Sequence, residues 1–147
     1  MTLTERIKKP NKVNVIIWGN YILETPFHII ADSGIHKEVN LMLESYKALN
    51  LEFDDTSLSD IGKLFPALWL AGSYKGTIES TRTMSSMIDH ATNIHQLLVL
   101  SQTLVRQRVT YKGMMLMGYS RQNHFSALSE LLPVAIPTMI VCLQGMV

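Results

Sequence analysis

A chain of 147 residues that is 47% apolar and 17% charged has enough apolar surface to offset the entropy of ordering, which excludes a wholly disordered tail. A single cysteine, Cys142, excludes an intrachain disulfide and removes any need for an oxidising compartment. The formal net charge is only +1, but it divides into +3 over residues 1–12, −6 over 24–60 and +4 over 61–147, a pattern that attracts an anionic surface or a second copy of the chain.

Residues 1–12, "MTLTERIKKPNK", read as a basic flexible lead-in without the apolar run of a secretion signal. Residues 13–147 read as one domain. "VNVIIWGNYIL", residues 13–23, is rich in β-branched and aromatic residues and predicts a strand. In "IHKEVNLMLESYKALN", Ile35, Val39, Met42, Leu43, Tyr46 and Leu49 recur at three- and four-residue steps, which predicts an amphipathic helix. "DDTSLSDIGKLFPALWLAG" begins with capping candidates Asp55, Thr56 and Ser57 and predicts a second helix, disturbed at Pro66 and stopped at Gly72.

From Tyr74 the pattern becomes a threonine-rich alternation, expected for a strand with one wet face in an antiparallel sheet or at a sheet edge. Residues 88–101 place Ile88, Ala91, Ile94, Leu97 and Leu98 in helical register. "TLVRQRVTYKGMMLMGYS" reads as extended, "RQNHFSALSELL" as a short helix and "VAIPTMIVCL" as a terminal strand bounded by prolines. The apolar run at the carboxyl end, interrupted by Pro133 and Pro137, is too short to span a bilayer. The order predicts an α+β domain, a small antiparallel sheet packed against several helices. Tyr-Lys-Gly recurs at 74–76 and 111–113, which reads as two strands that each bend at a glycine rather than as a repeat.

Catalytic signatures are absent from the linear pattern. "GSYKGT" at 72–77 lacks the spacing and the trailing lysine of a phosphate-binding loop. His90 and His95 lie five apart rather than four, so no metal site is expected; no GxSxG elbow occurs, and Cys142 sits in an apolar run suited to packing. No cofactor and no small-molecule substrate are implied, and the chain reads as a non-enzyme. The nine methionines suit core filling or an adaptable contact surface. Lys75, Arg82, Arg106, Arg108, Lys112 and Arg121 form a basic patch if the strand at Tyr74 lies beside the one ending at Tyr119. Such a patch binds phosphate or lipid headgroups.

"GSYKGTIESTRTM" resembles a strand in the matrix proteins of rhabdoviruses, including the Tyr-Lys-Gly-Thr-Ile-Glu core of vesiculovirus members, and "YKGMMLMGYSRQNHFSALSELL" looks like the second half of lyssavirus matrix domains. The lead-in holds no PPxY or PTAP budding motif, which fits a short, plant-infecting branch. The resemblance implies a virion structural protein that self-associates, condenses the viral ribonucleoprotein and links it to the inner face of the envelope during assembly and budding. It places the protein beneath the envelope, and in the host cytoplasm at membranes during assembly. On that reading Arg6, Lys8, Lys9 and Lys12 anchor the acidic membrane surface, and the bases from Lys75 to Arg121 contact membrane or ribonucleoprotein. A small viral RNA-binding accessory protein using the same bases, and an enzyme built around His90, His95 or His124, are the other readings.

Overall fold

A computed structural model describes residues 14–46, 55–65, 67–76, 84–119 and 132–147. Its elements run β1 (Ile16–Trp18), α1 (Gly19–Leu23), α2 (Phe27–Ser33), a 3-10 turn (Ile35–Lys37), β2 (Asn40–Glu44), α3 (Asp55–Leu64), β3 (Ala67–Lys75), α4 (Met87–Arg106), β4 (Thr110–Gly118) and α5 (Leu132–Gly145). The four strands form one sheet in the order β1-β2-β3-β4, and every neighbouring pair is parallel. The protein is therefore α/β, which corrects the expected antiparallel α+β sheet.

The local misreadings share one cause. Strands buried by helices lose the apolar/polar alternation that marks a half-wet strand and become short apolar runs. "NLMLE" is such a run: Leu41, Met42 and Leu43 are all buried, and Val39, Met42, Leu43 and Tyr46 fit a helical spacing equally well. The second predicted helix divides at Phe65 into α3 and β3, with Ala67–Gly72 as strand. The first predicted strand keeps only Ile16–Trp18 before turning into α1. The terminal "strand" is the helix α5, in which Pro137 is internal. Pro133 lies in the first turn, where its missing N–H costs nothing, and the bond that Pro137 cannot donate is the one to the Pro133 carbonyl, so the loss stays near the helix start. The predicted helix at 121–132 lies outside the described residues, save its last position.

The helix predicted at 88–101 is observed and is longer, Met87–Arg106. Ser86 caps it by accepting from the Asp89 backbone N–H, with Asp89 in the first turn favourable to the helix dipole. Its buried face, Ile94, Leu97, Leu100 and Leu104, joins Leu58, Ile61 and Phe65 of the α3 region, Leu41 and Leu43 of β2, Leu68 and Leu70 of β3, and Cys142 of α5 in one core. Each fully buried leucine there contributes roughly 1.5–3 kcal/mol. Gly72 lets α4 close on β3: a Cβ at that position would stand 2.7 Å from Ile94, 2.8 Å from Leu97 and 2.9 Å from Asn93.

Chain order equals strand order, so each crossover steps to the next strand in the same direction, and right-handed crossovers then deliver every helix to the same face. Leu41, Leu43, Leu68 and Leu70 point to that face. By alternation, Met42, Trp69, Ala71 and Met115 point to the other. The opposite face is concave. Ile16, Ile17, Trp18 and Met42 from β1 and β2 share a cavity of about 160 Å³ with Met115 of β4, although β1 and β4 are the two edges of the sheet.

Candidate functional site

In sheets of this kind the loops at the carboxyl ends of the strands carry ligands, because helix starts and strand ends converge there. At this edge β2 ends in Glu44 and continues into Ser45 and Tyr46, β1 runs into Asn20, and β4 runs into Tyr119. Glu44 and Tyr46 are two residues apart on an extended chain and so face the same way.

The side chains converge on the Glu44 carboxylate. Asn20 donates its Nδ2 to Oε1, and the Tyr46 hydroxyl donates to Oε2 at 2.5 Å. The Tyr46 and Tyr119 oxygens are 2.7 Å apart; since the single Tyr46 proton serves Glu44, Tyr119 is the donor to Tyr46. The two rings meet edge to face with centroids 5.6 Å apart, a favoured aromatic geometry. Burial, then the hydrogen bonds to Glu44 and Tyr119, push the Tyr46 phenol well above its ordinary range, so it stays a protonated donor.

The backbone beneath is tied down from three sides. Ser45 N–H donates to the Ala71 carbonyl at 3.2 Å, and buried Asn93 of α4 donates Nδ2 to the Ser45 carbonyl at 2.8 Å. Tyr119 N–H donates to the Lys75 carbonyl at 3.2 Å, and Lys75 Nζ returns a bond to the Tyr119 carbonyl at 2.5 Å. At the end of β3 the register shifts between Ser73 and Lys75, which re-aims side chains there. Ser73 Oγ lies 3.3 Å from Nδ1 of the buried His90.

The larger cavity, about 420 Å³, lies at the opposite end, among Asn14, Val15, His36, Asn40, Lys63 and Ala67. These residues precede or begin the strands, the end that in parallel βα folds serves stability rather than chemistry. The site is therefore placed at the carboxyl edge, where the side chains converge on Glu44.

The structure separates the bases expected to form one patch. β3 and β4 are neighbours, but Lys75 is buried at their carboxyl end, 5% exposed, whereas Arg106, Arg108 and Lys112 lie at the amino end of β4. About 25 Å of strand separates the two positions at ~3.3 Å per residue. Arg6, Lys8, Lys9, Lys12, Arg82 and Arg121 lie outside the described residues. Of the histidines, His90 is buried and His95 exposed; His124 lies outside the described residues. Among the described residues no group of histidine, cysteine and carboxylate side chains could hold a metal ion, and no helix is long and apolar enough to cross a membrane. Nothing in the linear pattern brings Asn20, Glu44, Tyr46 and Tyr119 together: the spacing of 35–49 predicts a helix, and only with 40–44 as strand do Glu44 and Tyr46 fall on one face.

The fold and site define four consecutive parallel βα units with a carboxylate and aromatic cluster at the ligand-bearing edge. No family model matches the chain. It is 30% identical over 133 residues to hexosaminidase D of Bos taurus and 27% identical over 141 residues to hexosaminidase D of Homo sapiens. The matches cover 89% and 95% of this chain but 38% and 28% of those proteins, so the chain spans about a third of the length of the curated relatives it matches.

These similarities overturn the rhabdovirus matrix reading, with its virion assembly and budding role, and the RNA-binding alternative with it. Both relatives are mammalian proteins named for a glycosidase, which also overturns the expectation of a non-enzyme. The Tyr-Lys-Gly motifs that carried the resemblance fall at the end of β3 and the start of β4 of a parallel sheet. Short strand-forming strings of that kind recur wherever strands do, which is why they misled.

Proposed function

We propose that the chain supplies the sugar-binding half of a hexosaminidase-like βα fold, with a hexosaminide bound over the carboxyl edge of the sheet. The observation that carries the reading is the Glu44 carboxylate held by Asn20 and Tyr46 at that edge, in a chain matched over 89% of its length by a protein named hexosaminidase D. With one donor on each oxygen, the remaining lone pairs of Glu44 accept from sugar hydroxyls. Trp18, at the end of β1 and 39% exposed, and the Tyr46 and Tyr119 rings offer apolar faces to a pyranose.

Hydrolysis through two carboxylates needs a second acid within about 5–9.5 Å of the first. Among the described residues Glu44 is the one acid in the hydrogen-bonded cluster. The role assigned to this cluster is therefore recognition and orientation of the sugar, with cleavage completed by groups beyond it.

The test is a fluorescence titration of Trp18 and Trp69 with N-acetylglucosamine, N-acetylgalactosamine and their p-nitrophenyl glycosides. A saturable change is expected, weakened about tenfold or more by Glu44→Gln, equivalent to ~1.4 kcal/mol. Absence of saturation with every sugar, or equal affinity in the folded E44Q protein, would overturn the reading.

A further inference from the structure

We infer that Asn93 is a positioning residue for the carboxyl edge: its side-chain amide, reaching out of α4, fixes the backbone between Glu44 and Tyr46 and so sets the direction in which both meet a ligand. The ligand rests on the sugar reading; the geometry does not. The pairing of β2 with β3 ends at Glu44 and Ala71, so Ser45 lies just past the ladder, and what holds it decides where its two neighbours point. Its N–H, in the peptide that joins it to Glu44, donates to the Ala71 carbonyl at 3.2 Å. Its carbonyl, in the peptide that joins it to Tyr46, accepts from Asn93 Nδ2 at 2.8 Å. With both peptides held, Glu44 and Tyr46 keep a fixed relative direction, and the Tyr46 hydroxyl reaches Oε2 of Glu44 at 2.5 Å.

Packing alone does not account for an asparagine here. Asn93 is 0% exposed, with its Oδ1 close to Gly72 beside Ile94 and Leu97, where a leucine would bring no polar atom to satisfy. A carbonyl can only accept, so the amide must turn Nδ2 toward Ser45. Oδ1 is then buried without a hydrogen-bond partner among the described residues, which costs stability; the return is the hold on Ser45. The start of α4 is itself anchored to the end of β3. Nδ1 of His90, three residues earlier and fully buried, lies 3.3 Å from Ser73 Oγ, and Ser85, just ahead of the helix, donates Oγ to the Tyr74 carbonyl at 2.5 Å. Of these three side chains, Asn93 is the one that acts on the Glu44 segment.

The experiment compares wild type with Asn93→Leu, which keeps the branching and the number of heavy atoms and removes the donor. In wild type, burial and the bonds to Glu44 and Tyr119 withhold the Tyr46 phenol from ionisation. In N93L, followed by ultraviolet absorbance, one more tyrosine should ionise below pH ~11, and the gain should vanish when N93L also carries Tyr46→Phe. In the sugar titration N93L should weaken binding about fivefold, and N93L combined with E44Q should bind no more weakly than E44Q alone, because Asn93 acts through the placement of Glu44. A folded N93L with the tyrosine titration of wild type, or losses that add in the double variant, would overturn the inference. Should N93L lack a cooperative melt, 15N-labelled E44Q decides: the side-chain amide resonance of Asn93 should shift while that of Gln107, at the far end of α4, stays in place, and an unmoved Asn93 resonance would overturn the inference. The tyrosine titration needs no ligand, so a protein that gains the extra tyrosine in N93L but binds no sugar loses the sugar reading alone. One that binds sugar, with N93L titrating and binding as wild type, loses this inference alone.

Discussion

The hydroxyls of Tyr46 and Tyr119, 73 residues apart in the chain, stand 2.7 Å from each other and link the ends of β2 and β4 over the intervening β3. Tyr119 is itself held by reciprocal bonds with Lys75, so the carboxyl edge behaves as one hydrogen-bonded unit with Glu44 at its centre.

Removing the last donor of that relay tests whether it orders the edge. Tyr119→Phe keeps the edge-to-face ring contact and deletes one hydrogen bond, so urea denaturation should show a loss of about 0.5–1.5 kcal/mol. The same variant should weaken the sugar titration severalfold, since Tyr46 is no longer fixed by two partners. An unchanged midpoint and affinity would show that the Tyr46–Tyr119 contact orders nothing.

The close approach of α4 to β3 gives a sharper stability prediction. Gly72→Ala places a methyl within 2.9 Å of three packed side chains, and overpacking of this kind costs about 1–3 kcal/mol. Chemical denaturation should show the loss. A variant as stable as wild type would mean that Ile94 and Leu97 give way freely, and that the core is looser than its burial implies.

Alkaline pH should destabilise the protein through Cys142. Burial pushes its thiol up from 9.0 to about 11, and the side chain is fully buried. A raised folded value means that the native state favours the neutral thiol, so this contribution is complete below pH ~9 and is lost as pH rises toward 11. Tyr46 and Tyr111, also raised by burial, add to the decline at higher pH. The thiol part is isolated by comparing wild type with Cys142→Ala: denaturation midpoints should converge between pH 9 and 11, and parallel pH curves would refute the assignment.

Each success of the sequence reading came where local forces suffice. The helix at 88–101 was legible because its apolar residues recur at helical spacing, and the structure keeps it, extended to Met87–Arg106. Asp55 is a predicted helix start, and α3 begins there; the extended reading of 103–120 holds for β4, Thr110–Gly118, but its first residues, Thr103–Arg106, are the last turn of α4. The site was not legible, because its members come from the ends of three strands, and one of those strands, β2, has apolar residues at helical spacing.

By itself the sequence determined that the chain orders around an apolar core, where its most periodic helix lies and that Cys142 suits burial; these follow from composition and short-range spacing. Tertiary structure alone decided that 40–44 and 67–72 are strands, that 132–145 is a helix despite Pro137, and that the sheet is parallel. The reason is burial. A strand covered by helices needs apolar residues throughout, which erases the alternation that distinguishes it from a helix, and the helices that cover it come from distant parts of the chain.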